Sequence, residues 1–127
     1  MKILAEISVG ELFDKITILN IKYKKIDDQQ KLKNISNELM TLNEQASKLN
    51  IPDKKSLDEL VLTLQSINEE LWDIENHKRE CEANKDFGEK FIELARNVYK
   101  FNDERAKIKL AINTSLGSNI KEVKSYE

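Results

Sequence analysis

From Val9 to Leu116 the apolar residues recur at alternating intervals of three and four, in four blocks separated by three short breaks. That period is the signature of amphipathic helices. In the first block Leu12, Ile16, Leu19 and Tyr23 form one stripe, with Val9, Phe13 and Ile26 at its edges. Ser8 and Glu11 before it have the form of a capping box, which satisfies backbone N–H groups at a helix start. Ile18 and Ile21 point away from that stripe at 100° per residue, so the first helix is apolar on two sides. Such a helix is buried on both, either inside a bundle or at an interface between copies.

The second block, Leu32, Ile35, Leu39, Leu42, Ala46 and Leu49, is a strict heptad seam after "IDDQQ", where Asp27 or Asp28 can cap. Pro52 disfavours helix at Ile51, and Asp53 or Ser56 can cap the third helix. The third block repeats the heptad through Leu57, Leu60, Leu64, Ile67, Leu71, Ile74, Lys78 and Cys81. A second stripe of Val61, Asn68, Trp72, Glu75 and Arg79 runs beside it. Asp86 and Glu89 suggest a capping box for the fourth block, which stops at Gly117, a residue suited to a helix C-terminus. The pattern predicts an all-α fold, an antiparallel four-helix bundle of paired helical hairpins in a single domain over 1–127. The helices are expected at about 9–26, 29–50, 54–82 and 87–116, with a C-terminal tail at 118–127. The ends, "KILAEIS" and "SNIKEVKSY", alternate in polarity and could pair as a minor two-stranded element.

Two residues break the pattern of the fourth helix. Asn102 and Arg105 fall within its apolar arc. Pairing the hairpins about their turns brings them level with Asn68 and Asn20. A buried amide or guanidinium requires partners. Asn68 and Asn102 could satisfy each other, and Arg105 could reach an acid such as Asp14, in the same chain or in a second one. The layer Asn20, Asn68, Asn102 and Arg105 would then fix register, or line a ligand site.

Composition changes this picture little. Charged residues make up 35% and apolar residues 39%, and only the periodicity separates such a chain from a disordered one. A net charge of −2 provides no field for nucleic acid or an anionic membrane, so neither is expected as a partner. One cysteine, Cys81, allows no intrachain disulfide, and the first fifteen residues have no long apolar stretch of a secretory signal. The expectation is a cytoplasmic protein.

Candidate chemistry is sparse. His77 is the one histidine, so no multi-histidine metal site exists. Cys81, four residues on, belongs to the core heptad. Two E-x-x-D pairs, Glu11 with Asp14 and Glu70 with Asp73, could hold Mg²⁺ if they converged. Trp72, Glu75 and Arg79, with Arg96 and Tyr99 on the neighbouring helix and Ile18 and Ile21 on the first, combine the aromatic, arginine and aliphatic residues that anchor interfaces.

The segments "ISVGELFDKITILNIK", "INEELWDIE", "DFGEKFIELARNVYKFNDERAKIKLAIN" and "GSNIKEVKSY" resemble a family of short bacterial proteins known only as a domain of unknown function. The match is dense at both ends and in the second half, and generic between about 29 and 66. After "LWDIE" that family often continues with an acid and then Ile-Arg, where this chain has Asn76, His77, Lys78 and Arg79. The resemblance implies a free-standing helical domain and transfers no catalytic residue. The sequence therefore favours a non-enzymatic helical interaction or scaffold protein that self-associates as a dimer and needs no cofactor. The alternatives are a Mg-dependent hydrolase of a nucleotide or sugar phosphate, and a small-ligand-binding bundle.

Overall fold

A computed structural model describes residues 1–126; Glu127, the last residue of the expected tail, lies outside the described residues. Four helices form: α1 (Val9–Lys25), α2 (Gln29–Ser47), α3 (Lys54–Ala83) and α4 (Glu89–Leu116). Side chains cap three of them as helix physics requires. Ser8 Oγ accepts from Glu11 N at 2.9 Å, Asp28 Oδ1 from Gln30 N and Lys31 N, and Asp53 Oδ1 from Ser56 N. The fourth start differs from expectation. Lys85 takes a left-handed backbone (φ 54°), and Asp86 then caps Gly88 N rather than the helix, so α4 begins at Glu89 with Gly88 as its N-cap. Gly117, at φ 64°, ends α4 in the left-handed conformation that glycine adopts without steric cost.

The four helices make an all-α bundle with α1 at its centre. α1 packs against α2, α3 and α4, α3 packs against α4, and α2 touches neither α3 nor α4. This arrangement accounts for the two apolar faces of α1. Leu12, Ile16 and Leu19 are buried on one side and Ile21 on the other, where only 2% of it is exposed. Ile21 is thus covered within one chain, while Ile18 beside it is only half-buried. A core of Leu57, Leu64 and Ile112 sits between α3 and α4 and is packed by Val9 and Phe13 of α1.

Because α2 has one neighbour, Ile35 alone of its seam is buried, and Leu32, Leu39, Leu42 and Leu49 stay half-buried. Tyr23, expected in the core stripe, is exposed near the C-terminal end of α1. The expected strand pairing of the ends does not form among the described residues. They meet through side chains instead: Val9 N donates to Ser118 Oγ at 3.2 Å, and Ser8 Oγ donates to Glu122. No described helix is long and apolar enough to cross a membrane.

Candidate functional site

The polar layer exists, with a different membership from the one the sequence suggested. Asp14 and Thr17 of α1 and Asn68 of α3 are buried together, with Arg105 and Asn102 of α4 at the edge. Arg105 Nε donates to Asp14 Oδ1 at 2.9 Å, and Arg105 Nη2 donates to Asp14 Oδ2 in the same fork. Asn68 Nδ2 donates to Asp14 Oδ1 (3.0 Å) and to Thr17 Oγ1 (2.9 Å), whose own hydroxyl turns back to the Asp14 carbonyl. Asn68 and Asn102 therefore do not satisfy each other. Asn102 Oδ1 instead accepts a 3.5 Å hydrogen bond from Arg105 Nη1. Asn20 is exposed and takes no part. The bidentate hydrogen bond to Asp14 and the nearby Asp14 and Glu11 charges raise the Arg105 pKa further, against the opposing effect of its burial. Arg105 and its acid are in one chain, and no buried side-chain polar atom is left without a partner among the described residues.

One turn along, a second polar cluster ties the ends of the chain to α4. Gly10 N donates to Asn113 Oδ1 at 2.6 Å, and Asn113 Nδ2 donates to Glu122 Oε2 at 2.9 Å. Lys109 Nζ lies 2.6 Å from Glu11 and 3.6 Å from Glu122. Gly10 is required here, because a Cβ at that position would come within 2.5 Å of the Lys109 carbonyl oxygen. Burial pushes the Glu122 carboxyl up, but hydrogen bonds from Ser8 and Asn113 and the Lys109 charge outweigh it and hold the group below the usual range. Sequence reading missed this cluster and missed Thr17. The available signal was spacing: Asn102, Arg105, Lys109 and Asn113 recur along one face of α4, opposite Gly10, Asp14 and Thr17 of α1.

The acids proposed to hold Mg²⁺ do not converge. Asp14 is committed to Arg105 and Glu11 to Lys109, while Glu70 and Asp73 are exposed on α3. Among the described residues no group of three or more His, Cys, Asp or Glu is placed to hold a metal ion. Cys81 is buried as a core residue while His77 is exposed.

Beside the polar layer lies an open slot of about 520 Å³ between α1, α3 and α4. Ile18, Ile21, Leu71 and Trp72 give it apolar walls. Asn68, Asn102 and Arg105 line it where it meets the polar layer, and Glu75, Asn76 and Arg79 line it further along α3. Five of the residues expected at an interface (Ile18, Ile21, Trp72, Glu75 and Arg79) thus share one surface. Arg96 and Tyr99 do not share it. Both are exposed elsewhere on α4, where Arg96 lines a separate shallow groove with Ile92. The slot adjoins the layer because Asn102 and Arg105 belong to both. Its lining combines an aromatic face, aliphatic walls and charges of both signs.

No curated protein and no solved structure matches the chain. A family model does, over residues 1–127, and the chain belongs to the family of unknown function DUF6165.

Proposed function

We propose that this chain is a non-enzymatic helical interaction protein of the cytoplasm that self-associates as a homodimer, with the Trp72 slot as its contact surface. The observation that carries the reading is the slot itself. It leaves the one tryptophan half-buried between aliphatic walls, with Arg79 further along α3. Large aromatic and arginine side chains are the residue types on which interface energy concentrates. A cytoplasmic setting suits a single, free cysteine and helices too polar to cross a membrane. Light scattering between about 1 and 100 µM tests self-association. A dimer mass is expected, with Trp72 emission shifting to shorter wavelength as the dimer forms. A monomer mass throughout overturns the reading.

A second reading is favoured by the slot's volume, which falls in the range of small-molecule sites. Asn102 and Arg105 would then offer hydrogen bonds where it meets the polar layer. A ligand that binds only the folded chain raises its melting temperature, so a thermal-shift screen in which Asn102→Ala removes a hit supports this reading. A screen without hits counts against it.

A further inference from the structure

We infer that two copies of this chain pair slot to slot about a twofold axis level with Glu75 and Asn76, with their α3 helices antiparallel. Each copy then sets Arg79 over Trp72 and beside Glu75 of the other. The inference rests on the self-association reading and adds the partner's orientation and the pairing that selects it.

The pattern on α3 is self-complementary. Trp72 and Arg79 are seven residues apart, two helical turns or about 10 Å, and face the same slot. A twofold axis between Glu75 and Asn76 places residue 72 of one copy opposite residue 79 of the other, and the reverse. An isologous interface requires such reciprocity. The juxtaposition is chemically favourable, because a guanidinium over an indole face is attracted by the ring and an adjacent carboxylate adds a charge-assisted hydrogen bond. Within one chain these groups are free to take it up. Arg79 is exposed and has no ion-pair partner among the described residues. Glu75 has only a loose contact to Lys78 at 3.5 Å, with half of its side chain exposed. Arg105, the other cation on the slot, is already neutralised by Asp14, so Arg79 carries the slot's uncompensated positive charge.

The test is a charge exchange between copies. Glu75→Arg sets two arginines against each other across the axis, and Arg79→Glu sets two glutamates. Each variant alone should weaken dimerisation at least about tenfold. Mixing the two should restore a dimer, because one copy then supplies both acids and the other both arginines. Mass-tagged light scattering or native mass spectrometry reads the heterodimer directly. Recovery on mixing also shows that both variants are folded. A wild-type chain that stays monomeric overturns self-association and this inference together. A dimer that neither substitution weakens leaves self-association standing and overturns this face. Variants that become monomeric and do not re-pair on mixing overturn the pairing.

Discussion

Asp14 shows how a charged residue can sit in the centre of a small fold. Its side chain is 1% exposed, and both carboxylate oxygens are taken, by the Arg105 fork and by Asn68. Removing one partner of such a pair leaves the other partly desolvated and uncompensated. Asp14→Ala is therefore expected to lower stability by about 3 kcal/mol or more, read by urea or thermal denaturation. A loss below about 1 kcal/mol would mean that Arg105 relaxes into water through the slot. Glu122 answers to pH. Its carboxyl sits below the usual range when folded, so its contribution is present above the ordinary glutamate pKa and fades as pH falls through the lower, folded value. Thermal stability should decline on acidification in that window. Glu122→Gln should lose stability at neutral pH and remove that part of the decline; an unchanged acid profile in the variant would show that Glu122 does not anchor the tail.

At the scale of elements, the four helices are not equivalent. α1 has three neighbours, α3 and α4 share the Leu57–Leu64–Ile112 core, and α2 leans on α1 alone. Few buried apolar contacts and an exposed backbone are the conditions for local opening. Amide hydrogen exchange should find α2 the least protected helix and α1 protected on a par with α3 and α4. Equal protection of α2 would mean that something covers it in solution. The same imbalance explains why the periodicity of α2 misled. A strict heptad seam states that a helix wants apolar neighbours, and does not state how many it finds. Ser8 and Gly117, by contrast, were legible as helix boundaries, and Asp28 and Asp53 to within a pair of candidates each, because capping is decided by residues near one another in the chain.

At the scale of the whole molecule, the polar layer is closed within the chain and the slot beside it is open. The layer is internally satisfied, so it specifies how α1, α3 and α4 fit together, in the way that a buried amide fixes register in a coiled coil. The slot is open, and it is the surface to which the proposed pairing assigns a second copy. Under the proposed self-association, pairing adds stability by mass action, so the melting temperature should rise with protein concentration and stop doing so in Arg79→Glu. A melting temperature independent of concentration in the wild type would argue against a dimer that forms only from folded chains.

The sequence by itself determined four helices, most of their ends, the core stripe of α3, and the fact that Asn68, Asn102 and Arg105 needed partners. These come from local propensities, capping and period, which neighbouring residues settle among themselves. Only the tertiary structure decided who those partners are. Asp14, already a candidate partner for Arg105, answers it within one chain, whereas Thr17 entered the layer and Asn20 left it, because a rotation of α1 by a fraction of a turn changes which side chains meet, and periodicity does not fix that angle. The tertiary structure also separated Glu70 and Asp73 from Glu11 and Asp14. It buried Ile21 of the second face of α1 within one chain, and it brought Trp72 and Arg79 onto a surface with Ile18 and Ile21. Each of these depends on how whole helices are placed, and that is set by close approaches such as Gly10 against Lys109, which only packing in three dimensions reveals.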